Sequence, residues 1–228
     1  YDLGLVVQRI APLDQIDAIV GNREALTLAQ EIADHAITLV RDDAKLMPAS
    51  KLPADARIFN LAITNGEDRL SVAETFVAAM RGANHPVETV VLDERSTETE
   101  VQKAIEHAQG ANLVIASLYG RVRSGQSNSV GLPEPGARAL TALLNRKAPV
   151  IGISFGNPYL LQSFPNMHTY LVAYGDMPSL QRAAASAVLG EIDVTGKLPI
   201  TLPSLYERGS GIQLKAVNAG SREKATSK

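Results

Sequence analysis

Cysteine and tryptophan are absent from the 228 residues, and aromatic residues make up only 4% of them. Without cysteine there is no disulfide, no thiolate zinc site and no thiol nucleophile, while the compartment stays open because cysteine-free proteins occur on both sides of a membrane. The missing tryptophan argues against a dedicated sugar-stacking surface. No apolar run approaches the roughly 20 residues of a spanning helix. An excess of charge of one sign is lacking too: Lys+Arg 22 against Asp+Glu 24 leaves a formal net charge of -2. No global field therefore draws the chain to nucleic acid or to an anionic membrane, and neither is expected as a partner. The one basic cluster, Arg222, Lys224 and Lys228, lies in a polar tail and reads as a solvated end.

Cofactor signatures are equally scarce. Neither G-x-x-x-x-G-K-[ST] nor G-x-G-x-x-G occurs, and the turn Thr64-Asn-Gly-Glu-Asp-Arg69 carries two acids where a phosphate would be repelled. The four histidines have no H-x₃-H or H-E-x-x-H spacing, so no metal site and no cofactor is expected. The chain opens at Tyr1 without a methionine or a leader, which points to a piece of a longer or processed polypeptide.

What is present centres on Pro149-Val-Ile-Gly-Ile-Ser-Phe-Gly-Asn-Pro158. Its apolar run is too short for a helix and lacks the alternation of a strand with one wet face, so it reads as a central strand buried on both sides. Gly156 allows a sharp turn, Asn157 fits an N-cap and Pro158 fits the first position of a helix over 159–164. Further strands are expected at 37–40, 57–64, 87–92, 113–118 and 169–174, with a polar turn at 41–43. Helices are expected from Asn22 and over 70–82, 97–109, 134–146 and 179–190. Strands alternating with helices indicate right-handed βαβ crossovers. The fold class is α/β, a three-layer α/β/α sandwich with a mostly parallel sheet of about six strands.

Residues 1–21 lack periodicity and read as a linker from an upstream domain, 22–212 as the sandwich, and 213–228 as a disordered tail. Gly196-Lys-Leu-Pro-Ile-Thr-Leu-Pro203, with two prolines, can be neither helix nor central strand and is expected to be an extended surface or edge segment.

Ligands of open α/β sheets gather past the carboxyl ends of the strands. Gly152-Ile-Ser-Phe-Gly156 fits the G-x-S-x-G nucleophile elbow between strand and helix. That motif needs serine, acid and histidine in order, yet His168 is the only later histidine and no carboxylate lies between it and Ser154. Ser154 reads better as a small residue in a packed strand, with a serine hydrolase as the alternative. Glu67/Asp68 and Asp93/Glu94 follow strands and could form a glycosidase pair, though ordinary solvated turn acids explain them more simply. The longest loop, Tyr119–Pro133, has two arginines and many hydroxyl and amide groups for carboxylate, phosphate or sugar, but no aspartate or glutamate. It is either a mobile loop without a ligand or a functional one.

Several landmarks in order resemble the C-terminal α/β sandwich domain of glycoside hydrolase family 3. They are Leu3-Gly-Leu5, Ala29-Gln-Glu-Ile-Ala33 leading to Ala36-Ile-Thr-Leu-Val40, Leu132-Pro-Glu-Pro-Gly136, Ser154-Phe-Gly-Asn-Pro158, and Gly190 followed by Gly196–Pro203. The resemblance implies an upstream (β/α)₈ barrel in the same polypeptide that carries the catalytic aspartate of a retaining hydrolysis. A barrel needs about 200 residues or more, which do not precede the first helix here. In the β-glucosidase branch the sandwich lends a glutamate from the loop matching Tyr119–Pro133. Its absence here resembles the bacterial β-N-acetylglucosaminidase branch, whose proton donor is an aspartate–histidine dyad on the barrel.

The resemblance therefore implies a domain with no catalytic residue of its own, meeting carbohydrate substrate at the domain interface through Arg121, Arg123 and Ser124. It implies a periplasmic or secreted setting as well. A stand-alone carbohydrate-binding or interaction module is the alternative from another class.

Overall fold

The computed structural model describes residues 13, 16–49, 52, 53, 55–82, 86–125 and 130–217. After a short helix α1 (Ile16–Ile19), the order is α2 (Arg23–Ala36), β1 (Thr38–Asp42), β2 (Ile58–Thr64), α3 (Glu74–Gly82), β3 (Val87–Leu92), α4 (Glu98–Ala108), β4 (Leu113–Tyr119), α5 (Glu134–Asn145), β5 (Val150–Ser154), α6 (Leu160–Ser163), β6 (Thr169–Val172) and α7 (Pro178–Leu189). Strands β2, β4, β5 and β6 are buried at every residue. That double burial is why their sequences run apolar without alternation.

The six strands form one sheet in the order β1-β6-β5-β4-β2-β3. All neighbours are parallel except β1, which lies antiparallel against β6 with an irregularity between Leu39 and Arg41. Helices α2, α3 and α7 contribute to the core on one face and α4, α5 and α6 to that on the other, giving the expected α/β/α sandwich. Local chemistry fixes several ends. Thr97 and Glu100 form a reciprocal capping box at α4, Asn22 Oδ1 accepts from the Ala25 N–H at 2.9 Å, and α7 stops at Gly190 with φ 71°.

Some boundaries differ from expectation. Pro158 does not open a helix: Asn157 Oδ1 accepts from the Tyr159 N–H at 2.9 Å, and this turn delays α6 to Leu160. Residues 69–73 form turns in which the Ser71 and Val72 N–H groups both donate to Asp68 O at 2.9 Å, so α3 starts at Glu74. Arg41 and Asp42 extend β1 where a turn was expected, because β6 offers Tyr170 and Thr169 as partners. The segment 196–203 is extended, yet it is not simply surface. Leu198 and Leu202 are fully buried against the sheet while both prolines face outward, and the Leu198 N–H donates to Ser210 O at 2.8 Å.

The expected linker falls largely on residues outside those described. Of the expected tail, 213–217 are held to the body: Leu214 bridges Val194 and the Val217 N–H donates to Gly190 O at 2.8 Å. Residues 218–228 lie outside the described residues.

Candidate functional site at the switch point of the sheet

From β2 the chain moves outward to β3, then returns across β2 to β4 and continues the opposite way. The carboxyl ends of β2 and β4 therefore flank the topological switch point, where open sheets hold ligands. Here that crevice is occupied by the protein itself. Asn65, just past β2, exchanges hydrogen bonds with the backbone of Arg121, just past β4: the Arg121 N–H donates to Oδ1 at 3.0 Å and Asn65 Nδ2 donates to Arg121 O at 2.8 Å.

The Arg121 side chain then spans three loops. Nη1 and Nη2 donate to the two oxygens of Asp68 at 2.7 and 2.6 Å, and Nε donates to Asp176, after β6, at 2.6 Å; Nη2 also pairs with Asp176. Gly66 makes room, because a Cβ there would overlap the guanidinium. The Arg121 hydrogen bonds hold the Asp68 carboxyl below the usual carboxylate range despite its partial burial, and Asp68, opposed by partial desolvation but joined by Asp176, holds Arg121 protonated.

Beneath the clamp, Gln181 donates through Nε2 to Asp176 O at 2.8 Å and accepts from the Phe76 N–H at 3.0 Å and the Tyr119 hydroxyl at 3.5 Å. Tyr119 stacks on Phe155 with ring centroids 4.7 Å apart, and burial pushes its phenol well above the ordinary value.

A second cluster sits beside β3. Asp93 is 2% exposed and accepts from Arg69 at 3.1 Å, from the Arg95 side chain at 3.1 and 2.9 Å, and from the Ser96 hydroxyl at 3.2 Å. Burial alone would raise its pKa, but Arg95 and then Arg69 outweigh that and the net shift is downward. Arg69 also pairs with Glu100, Arg123 with Glu94, and Arg95 with Glu67 at 3.8 Å.

The sequence expectations sort accordingly. Asp68 and Asp93 are not ordinary solvated turn acids: arginines consume both, whereas Glu67, with a side chain 89% exposed, fits that description. Ser154 is fully buried and its hydroxyl donates to Asn157 O at 2.7 Å. With the oxygen closed off and its proton used in a turn, it has no nucleophile's setting. Arg121 lies in the clamp, Arg123 on Glu94, and Ser124 is exposed. Sequence reasoning missed Asn65, Asp176 and the bonding role of Asn157, whose Nδ2 donates to Val130 O at 2.8 Å. Polar residues one to four positions past a strand end were the available signal.

Other features lie elsewhere. A groove of about 620 Å³ lined by Arg57, Phe59, Arg81 and Glu88 lies at the opposite, amino edge of the sheet, away from the switch point. Among the described residues no group of three or more His, Cys, Asp or Glu could hold a metal ion, and no helix is long and apolar enough to cross a membrane.

No protein-family model matches the chain. A β-N-acetylglucosaminidase/β-glucosidase of Cellulomonas fimi is 24% identical over 205 residues, which is 87% of this chain and 36% of that protein. The β-glucoside phosphorylase BglX bound to 2FGlc superposes with a TM-score of 0.70 at 25% identity, over 89% of this chain and 36% of that one. A glycoside hydrolase family 3 β-N-acetylglucosaminidase from Paenibacillus sp. str. FPU-7 has the same fold, with a TM-score of 0.66 at 23% identity, over 80% of this chain and 34% of that one. The chain thus spans about a third of the length of each. Sequence landmarks, strand order and this partial coverage agree, and the chain is similar in sequence and fold to the C-terminal α/β sandwich portion of these glycoside hydrolase family 3-type enzymes.

Proposed function

We propose that this domain is the non-catalytic half of a two-domain glycosidase, supporting an upstream (β/α)₈ barrel that cleaves β-linked N-acetylhexosaminides or related β-glycosides. The observation that carries the reading is the occupied switch point: Arg121, Asp68 and Asp176 fill the crevice where a sheet of this topology would hold its own ligand. A glycosidase also needs a proton donor near neutrality, and the loop after β4 has no carboxyl to offer. Of the acids at this edge, Asp68 and Asp93 are held ionised by arginines, and Asp176 and Glu94 are paired with the loop's own Arg121 and Arg123.

The domain's contribution to the reaction is then geometric. Two asparagines grip both roots of the loop, Asn65 on Arg121 and Gly131, Asn157 on Val130. Arg123 and Ser124 stand beyond that grip and reach sugar hydroxyls at the rim of the barrel's cleft, with Arg121 fixing the backbone that carries them.

Two assays test the reading. The 228-residue chain is expected to release no aryl sugar from aryl N-acetyl-β-glucosaminide or aryl β-glucoside, with water or phosphate as acceptor. A polypeptide joining it to the preceding barrel is expected to turn over one of them, and Arg123→Ala in that polypeptide to raise KM by a few-fold while leaving kcat near wild type. Robust turnover by the isolated chain would refute the proposal.

A further inference from the structure

Helix α2 is strongly amphipathic but meets the body along only one margin of its apolar arc. Its single fully buried residue is Ala33, partly buried Ala36 packs against the same core, and polar contacts with α7 complete the anchorage: Gln30 Nε2 donates to Ser179 O at 3.1 Å and Arg182 Nε donates to Gln30 Oε1 at 2.9 Å. Ala25, Leu28, Ala29 and Ile32, spaced i, i+3, i+4 and i+7, form a stripe on one side of the helix. All four are exposed, Leu28 by 54% and Ile32 by 61%. Directly before the helix, Ile19 and Val20 are 67% and 69% exposed. A helix normally turns such a stripe inward, so a contiguous apolar strip left open marks an interaction surface.

We propose that this stripe seats the domain preceding this one in the same polypeptide, an inference that rests on the functional reading above. Two observations choose that occupant. The relatives devote about two thirds of their length to chain not represented here, since the match covers 36% of them. In addition, α2 is the first long helix, and exposed Ile16, Ile19 and Val20 lie in the segment that leads into it. A partner entering through that segment arrives at the stripe at high effective concentration, so a strip of one helix and its lead-in is enough to dock it. The contact also explains how a domain with no reacting group keeps its loop after β4 in fixed register with a barrel.

The test uses Leu28→Asp with Ile32→Asp, in the 228-residue chain and in the longer polypeptide with its preceding domain. Because both side chains are already mostly exposed, the short chain is expected to melt within about 2 °C of wild type, which serves as the folding control. In the longer polypeptide the wild type is expected to unfold in one transition. The variant is expected to split into two or to lose at least about 4 °C, with faster hydrogen exchange in α2. An unchanged melt and unchanged α2 exchange in the longer variant would overturn the inference. So would concentration-dependent dimerisation of the short chain that the variant abolishes, since that assigns the stripe to a second copy. If the longer polypeptide cleaves glycosides yet ignores the variant, only this inference fails; if no domain precedes the chain, the functional reading fails with it.

Discussion

Replacing Arg121 with alanine isolates the clamp at the switch point. The guanidinium and its two carboxylates are each about one third exposed, at 33%, 35% and 28% of side-chain surface for Arg121, Asp68 and Asp176. Fully exposed pairs contribute roughly 0–1 kcal/mol and charged hydrogen bonds roughly 1.5–3 kcal/mol, so screening places each carboxylate here near about 1 kcal/mol. Removing the arginine also leaves two like charges aimed into one space, for a total of about 2–3 kcal/mol. For a chain of this size that lowers Tm by about 4–12 °C.

The pH dependence has a defined sign. The folded pKa of Asp68 is depressed, so its contribution is fully present above the unfolded carboxylate value of about 4 and is lost as pH falls through the lowered folded value. Calorimetry of wild type and Arg121→Ala should show a constant gap above about pH 5 that closes below about pH 4. Arg121→Met controls for packing. Gly66→Ala should cost nearly as much in wild type, because its Cβ displaces the guanidinium, and little in the Arg121→Ala background. A drop under about 2 °C, a gap that persists at low pH, or additive effects of the two substitutions would refute the clamp.

Two further outcomes follow from buried hydroxyls. Ser154→Ala removes the donor to Asn157 O and should cost about 1 kcal/mol in a denaturant titration without changing any ester turnover; loss of such turnover would revive the serine nucleophile. Thr89 Oγ1 is buried without a partner, so the isosteric Thr89→Val should be neutral or stabilise by up to about 1 kcal/mol, and a clear destabilisation would reveal a bonded water there.

The strands were legible because doubly buried parallel strands need apolar runs bounded by turn residues, and Leu113–Tyr119 and Val150–Ser154 show both. Element ends were less so, since they depend on single side chains. Asn157 spends its oxygen on the Tyr159 N–H instead of capping a helix that starts at Pro158. The clamp was not legible: Arg121 finds Asp68 53 positions back and Asp176 55 positions on, a meeting that only the strand order arranges. For the same reason the amphipathic period of α2 announces an apolar arc but not what it faces. The arc is equally visible in the sequence whether α7, solvent or another domain lies against it.

The electrostatics of this edge bear on what can approach it. Asp68, Asp176, Glu67, Asp93, Glu94 and Glu100 are interleaved with Arg69, Arg95, Arg121 and Arg123, which leaves acid in excess by two charges. Each arginine already serves at least one carboxylate, so an incoming anion would have to displace a short, partly buried ion pair and would meet the surplus acid as it did so. A neutral polyol faces neither cost, because it needs only lone pairs and N–H groups at the rim, and these stay available on arginines whose ion pairs use part of their five donors. The same ion pairs that disqualify Asp68 and Asp93 as proton donors therefore also make this edge less favourable for an anion than for a neutral hydroxyl group, and they do so through positions fixed by the sheet rather than by the loop itself.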